Sequence, residues 1–148
     1  MAMLTIADVK EYVPDITEYG IQEFGDDFSR TESDIHRLLR IKWWTVHNAG
    51  STDITIRSSF GEMDTTKLDE AQFTRAAVFH CLAYYLCPKL TKFDPDSDRF
   101  QNQMEHFTKR FEEEFELILR DGVKYDSNDD GSYSQAEKEP VHFGRLIR

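Results

Sequence analysis

The sequence has no apolar run that approaches the roughly 20 residues needed for a membrane-spanning helix. The first residues, MAMLTIADVKEYV, lack a basic region followed by a long apolar stretch, so we expect no secretory signal. Cysteine is also scarce, and Cys81 and Cys87 lie six residues apart in a helical pattern. Side chains at that spacing point to different faces of a helix, so we expect no disulfide between them. Both are predicted to be free, buried thiols in a reducing cytosol.

Basic residues are in the minority. The chain has 18 Lys and Arg against 28 Asp and Glu, which gives a formal net charge of −10. Attraction to phosphates requires a positive surface, so this balance argues against nonspecific binding of nucleic acid. We also expect no specific nucleic-acid partner. An acidic surface could instead meet a basic partner surface.

The sequence lacks the groupings that usually carry catalysis. It has no phosphate-cradling glycine loop and no GxSxG pattern. His80 and Cys81 are adjacent, so their side chains leave a helix about 100° apart and do not form a ready nucleophile–base pair. We predict that the protein is not an enzyme, with no catalytic residues, and that His80 is a packed or interface histidine. None of the five histidines has zinc-ligand spacing: His36, His47, His80, His106 and His142.

Hydrophobic residues make up 39% of the 148 residues and aromatic residues 13%, enough for one domain with a modest core. Thr5 and Asp8 resemble a capping box at the start of a short helix that Pro14 ends. The stretch 15–27 is less periodic and predicts a short helix or turn. A second helix is expected to start near Thr31, with Asp34 as its capping partner, and to run to Val46.

A polar loop follows, with one β-like run at Ile54-Thr55-Ile56. The third helix is predicted from Thr66 or Lys67 to Pro88, with small alanines on its apolar face. The fourth helix is predicted to end at Gly122. Its apolar side chains step by three or four residues: Phe100, Met104, Phe107, Phe111, Phe115 and Ile118.

These patterns predict an all-α protein: a small bundle of three long and one or two short helices, with room for a minor β-hairpin. We place the bundle domain at residues 1–121 and an extended C-terminal arm at residues 122–148. Trp43 and Trp44 are adjacent and cannot both face one core, so one is expected inside. The other lies either at a groove or subunit contact or partly exposed on a monomer, and both interpretations stay open. The acidic run Glu112-Glu113-Glu114 is expected to be a solvated helix face.

The first part of the arm fits the calcium-binding loop pattern of EF-hands. Oxygen-bearing side chains alternate so as to face one cation, and Gly131 stands where the loop needs a sharp turn. The flanks differ from an EF-hand, because Asp121-Gly122 interrupts the entering helix and Pro140 follows the loop closely. A calcium loop and a solvated acidic turn both stay open. The predicted calcium ligands are Asp126, Asn128, Asp130, Ser132, Ser134 and Glu137.

From Ala76 to Pro88 the sequence reads AAVFHCLAYYLCP, followed by a polar linker and a long fourth helix. This layout resembles the head–tail adaptor (connector, head-completion) proteins of tailed bacteriophages. The resemblance implies a helical bundle at residues 28–121 and a docking arm at residues 134–148. It further implies a homo-oligomeric ring of about a dozen copies beneath the portal.

The same resemblance implies that the partners are the portal protein and a neck protein, which is a tail terminator or stopper. The location would be the head–tail interface of the virion, and the host cytoplasm during assembly. In the arm, two arginines can reach portal carboxylates and four apolar side chains can anchor in pockets. These predicted partner-binding residues are Val141, Phe143, Arg145, Leu146, Ile147 and Arg148.

Two other functions stay open on the sequence. The loop at residues 126–137 favours a calcium-responsive binding module, with calcium as the only candidate cofactor. The negative charge favours a small regulatory protein that mimics DNA.

Overall fold

A computed structural model describes residues 3–44, 63–91, 99–126, 131 and 138–139. Within these residues the chain is mostly helical, and three helices have seven residues or more. The prediction of an all-α protein with three long helices is therefore confirmed. The β-like run predicted at residues 54–56 lies outside the described residues.

The helices and strands are numbered in chain order. Short helix α1 spans Ile6–Lys10, a 3₁₀ turn spans Ile16–Tyr19, and α2 spans Gly25–Leu39 and continues as a π turn, Arg40–Trp44. A 3₁₀ turn, Thr65–Lys67, precedes α3, Glu70–Cys81, which continues as a π turn, Leu82–Leu86, and then α4, Cys87–Leu90. Helix α5 spans Arg99–Asp121, and two-residue strands β1 and β2 span Val123–Lys124 and Lys138–Glu139.

The start of α1 confirms the predicted capping contact. The Asp8 carboxylate accepts hydrogen bonds from the Thr5 backbone N–H at 2.7 Å and from the Thr5 hydroxyl at 2.8 Å. This contact satisfies a backbone donor that the helix itself leaves unpaired. It holds α1 so that Val9 points into the core, where it is fully buried.

Helix α2 begins at Gly25, six residues before the predicted start at Thr31, so that prediction is wrong. Thr31 lies inside the helix and is fully buried, which a capping residue at an exposed helix end would not be. Asp26 and Asp27 occupy the first turn. Carboxylates are favourable there because they face the positive end of the helix dipole.

Pro88 does not end the third helix, contrary to the prediction. The π turn ends with the Cys87 N–H bonded to the Leu82 carbonyl, five residues back. Pro88 then falls in the first turn of α4, where backbone N–H groups need no partner within the helix. The helical path therefore continues to Leu90 despite the proline.

Helix α5 follows the predicted aromatic stripe. Phe107, Phe111, Phe115 and Ile118 are buried along one face. The helix ends before Gly122, whose φ of 108° is in the left-handed region that glycine adopts without strain. This helix end is as predicted.

The residues form two compact units. The first comprises Met1–Asp34 and Glu70–Phe115, and the second comprises Ile35–Asp69 and Glu116–Arg148. In the first unit α3 is buried on nearly every side from Ala76 to Cys81. In the second unit the core includes Leu39, Trp43 and Leu68. The proposed division into residues 1–121 and 122–148 stays a prediction.

The N-terminal residues of the first unit are fastened to two helices. The Met3 N–H donates to Glu32 Oε1 on α2 at 3.1 Å, and the Thr74 hydroxyl on α3 donates to the Met3 carbonyl at 2.8 Å. The ring of Tyr12 meets that of Phe79 edge-on, with centroids 4.9 Å apart. Residues 3–12 are thereby an integral part of the helical packing.

Candidate functional site

The predicted calcium loop starts from a fixed backbone segment in the second unit. Lys124 to Asp126 run antiparallel to residues 67–69. The Asp69 N–H donates to the Lys124 carbonyl at 3.2 Å, and the Asp126 N–H donates to the Lys67 carbonyl at 2.9 Å. Between them Leu68 and Tyr125 form an antiparallel bridge. The first predicted ligand, Asp126, is therefore held by backbone contacts.

The Asp126 side chain contacts the backbone of the loop at Gly131. It is only 6% exposed, and its Oδ2 accepts a hydrogen bond from the Gly131 N–H at 2.8 Å. Gly131 has a φ of 80°, in the left-handed region. In loop numbering these are positions one and six, which bind the cation and make the sharp turn respectively. The backbone is thus turned back toward the carboxylate that the sequence assigned as a ligand.

Strands β1 and β2, which precede and follow the loop, pair with each other. Val123 is paired with Glu139 and Lys124 with Lys138 in antiparallel register. The loop therefore connects two strands rather than two helices, in accordance with the expectation that its flanks differ from those of an EF-hand. The pairing also joins the start of the arm to its later part.

The other predicted site residues lie outside the described part of the chain and stay predictions. Within that part, no group of three or more His, Cys, Asp or Glu side chains could hold a metal ion. The predicted calcium ligands outside it are Asn128, Asp130, Ser132, Ser134 and Glu137. The predicted partner-binding residues outside it are Val141, Phe143, Arg145, Leu146, Ile147 and Arg148.

An aromatic cluster of Trp43, Trp44 and Tyr125 lies directly before the loop. The Tyr125 ring centroid is 5.6 Å from that of Trp43 and 5.2 Å from that of Trp44. The Tyr125 hydroxyl accepts a hydrogen bond from the Asp64 N–H at 3.2 Å. Trp43 is 2% exposed and Trp44 is half-buried, so the prediction that one ring packs inside is confirmed. A subunit contact at Trp44 stays a prediction.

The cysteines and His80 belong to the first unit. Cys81 and Cys87 are buried and free, as predicted. Burial raises the pKa of Cys81 to about 12 and that of Cys87 to about 11, so neither is activated as a nucleophile. His80 is buried among aromatic rings, which confirms it as a packed histidine.

One polar contact near His80 was not predicted from the sequence. The Tyr85 hydroxyl donates a hydrogen bond to Asp34 Oδ2, across 51 residues of sequence. Asp34 was interpreted as a capping residue for a helix start, so its partner on the third helix was missed. The half-buried Tyr85 in an otherwise apolar run was the available signal.

Apolar side chains are exposed in both units. Tyr12 and Tyr84 are partly exposed in the first unit, and Ile41 and Leu117 are 58% and 59% exposed in the second. None of the helices in the described ranges combines the length and the apolar character needed to cross a membrane. No family model, no curated protein and no solved structure matches the chain.

Proposed function

We propose that the chain is a structural assembly protein of a tailed-phage virion. In this proposal it acts as a head–tail adaptor that forms a homo-oligomeric ring and docks its C-terminal arm on the portal. Residues 140–148 are the docking segment. The far side of the ring would receive the neck or tail protein.

The observation that carries the proposal is the attachment of the arm. Strand β2 ends at Glu139, paired with Val123, and β1 leads directly into the backbone contacts with residues 67–69. The proposed docking segment therefore follows directly on Glu139, whose backbone is paired with β1. Docking of such a segment suits stepwise assembly, because any entropy cost of ordering it arises only when the partner is present.

The chemistry of that segment supports a protein partner. Arg145 and Arg148 are its charged residues, and they are basic in a chain of net charge −10. The apolar residues Val141 and Phe143 precede Arg145, and Leu146 and Ile147 lie between the two arginines. Arginine pairs well with carboxylates, and a few buried anchor residues, arginine among the commonest, supply most of the affinity at interfaces.

Exposed apolar side chains support a ring of copies. Ile41 and Leu117 in the second unit are each more than half exposed. In a ring with head-to-tail contacts, such side chains are covered by the neighbouring copy. The residues that carry the family resemblance, 76–88, are mostly buried in the first unit and would give that unit a rigid core.

Truncation after Glu139 tests the arm. Because the removed residues follow β2, we expect the far-ultraviolet circular dichroism and the Tm to stay unchanged. Binding to a ring of the portal protein encoded in the same genome should be lost in sedimentation or negative-stain assays. Normal portal binding by the truncated protein would exclude the proposed docking role.

Two matched variants of the full chain separate charge from apolar contact. Arg145→Glu with Arg148→Glu replaces the two cations that would pair with portal carboxylates by like charges, and should reduce the association rate most. Leu146→Ser with Ile147→Ser removes apolar anchors and should raise the dissociation rate most. If both double variants bind as the wild type does, the contact lies elsewhere.

A second candidate function is calcium binding by the loop at residues 126–137. The specific observation in its favour is the hydrogen bond from the Gly131 N–H to the buried Asp126 carboxylate, with Gly131 in the left-handed region. This contact places the turn at Gly131 beside an oxygen of the first predicted calcium ligand. Calcium prefers six to eight oxygen ligands, and the loop sequence offers six residues that carry or supply them.

Calcium titration tests this function, because Tyr125 beside Trp44 provides an intrinsic fluorescent reporter adjacent to the loop. We expect a saturable change in fluorescence with calcium. The change with magnesium should be weaker, because this smaller ion requires a nearly ideal octahedral set of ligands. Glu137→Gln should weaken the response, while Asp121→Asn, just outside the loop, should leave it unchanged. No response at millimolar calcium would eliminate this function.

A further inference from the structure

His80 is the penultimate residue of α3, which the π turn follows. Its side chain is buried in the first unit, and three rings surround it. The ring centroids of Tyr84 and Phe111 lie 4.5 Å and 4.8 Å from that of His80, and the ring centroid of Tyr85 lies 5.8 Å away. An ionisable group is thus packed where apolar side chains would normally be found.

The two nitrogens of the ring have different surroundings. Nε2 lies 3.7 Å from Asp34 Oδ2 on α2, the same oxygen that accepts the Tyr85 hydroxyl. Nδ1 is buried and has no hydrogen-bond partner among the described residues. A neutral ring leaves only a lone pair unpaired at Nδ1, whereas a protonated ring places a charged N–H there.

Charged groups approach from each packed element. Asp34 on α2 is the carboxylate nearest to the ring. The charge of Arg30, also on α2, lowers the pKa of Tyr85, and the charge of Glu112 on α5 raises the pKa of Tyr84. Tyr84 and Tyr85, both from the π turn, face His80 as neutral phenols. The one direct counter-charge within these described elements is therefore on the Nε2 side.

We propose that His80 is a pH-sensitive contact of the first unit, and that protonation at its buried Nδ1 loosens the packing of α2 and α5 against the π turn. The neutral ring fits among the three aromatic rings. The protonated ring demands a second acceptor, which only water admitted between the helices would provide. The contact would therefore open in mildly acidic solution.

The electrostatics set the direction of this response. Burial lowers the pKa of His80, and the attraction of Asp34 opposes burial without overcoming it. The unfolded chain therefore binds a proton at higher pH than the folded chain does. The stabilising effect of neutral His80 is complete above the ordinary histidine pKa of about 6.5 and is lost as the pH falls below it.

A proton NMR titration of the wild-type protein tests the proposal directly, with the His80 signal assigned by its absence in His80→Gln. We expect the His80 midpoint to lie below about 6.5. In Asp34→Asn the midpoint should move lower still, because the opposing carboxylate is gone. A midpoint at or above the ordinary value in the wild type, or an upward shift in Asp34→Asn, would overturn the proposal.

Thermal unfolding between pH 8 and pH 5.5 supplies an independent measurement. The Tm of the wild type should fall more over this range than that of His80→Gln. His106→Gln, which removes an exposed histidine from α5, should keep the wild-type pH dependence. Equal pH dependence in all three proteins would overturn the proposal. If His80→Gln does not fold, the His80 signal is assigned instead by its through-space NMR contacts with the rings of Tyr84 and Phe111, and its midpoint then decides the matter.

Discussion

Lys89 Nζ lies 2.5 Å from Asp27 Oδ2, and this ion pair joins α4 to the first turn of α2. The Asp27 side chain is 1% exposed, whereas that of Lys89 is nearly half exposed. Arg30 approaches the other carboxylate oxygen at 3.3 Å. A buried carboxylate is thus neutralised by two cations that reach it from the protein surface.

We predict that Asp27→Ala destabilises the protein by about 2 kcal/mol, because it removes charge-assisted hydrogen bonds from a buried position. Urea unfolding gives the free energy. Asp26→Ala is the matched control, since Asp26 lies in the same helical turn but is exposed. It should cost only a few tenths of a kcal/mol through the helix dipole. Equal losses in the two variants would show that the ion pair contributes nothing specific.

Thiol reactivity offers a second prediction. Because the thiolate is the reacting species, and burial raises the pKa of Cys81 to about 12 and of Cys87 to about 11, the folded protein should react very slowly with a disulfide reagent at pH 8. In denaturant both thiols should react at once. Rapid labelling of two thiols without loss of circular dichroism would contradict the described burial.

The sequence predicted the features that depend on neighbours along the chain. The stripe of α5, the capping contact of Thr5 with Asp8, and the helix end at Gly122 all follow from local spacing. It failed where tertiary packing overrides a local pattern. Thr31 and Asp34 are spaced as a capping pair, yet Thr31 is buried inside a longer helix. Pro88 usually marks an end, yet a preceding π turn accommodates it.

The same distinction between local and long-range contacts applies to the candidate sites. The sharp turn at Gly131 is local, so the loop pattern in the sequence predicted it, whereas the hydrogen bond from the Gly131 N–H to Asp126 was not predicted. The contacts of Asp34 with Tyr85 and His80 join segments that are distant along the chain, and no residue spacing in the sequence indicates them. Such contacts become visible only when the helices are packed together.

A pair of glycines isolates the effect of backbone conformation. Gly20 has a φ of 93°, whereas Gly25 starts α2 outside the left-handed region, and a Cβ atom would meet nothing within 4 Å at either position. Gly20→Ala should therefore lower the free energy of unfolding by about 1 kcal/mol through strain alone. Gly25→Ala should be neutral or slightly stabilising. Equal effects, measured by urea unfolding, would mean that strain at Gly20 is not the cause.

A substitution at Leu117 distinguishes an effect on assembly from an effect on folding. It is 59% exposed on α5, whereas Phe115 on the same helix is buried. Phe115→Ala should cost about 3 kcal/mol by leaving a cavity. Leu117→Lys should leave the Tm nearly unchanged, because it removes no buried contact.

If Leu117 is covered in the proposed ring, the same variant should shift the oligomer toward monomer in sedimentation velocity, since a lysine would have to be desolvated at the contact. A destabilised monomer would contradict the exposure of Leu117. A stable variant that assembles as the wild type does would instead exclude Leu117 from the ring contact.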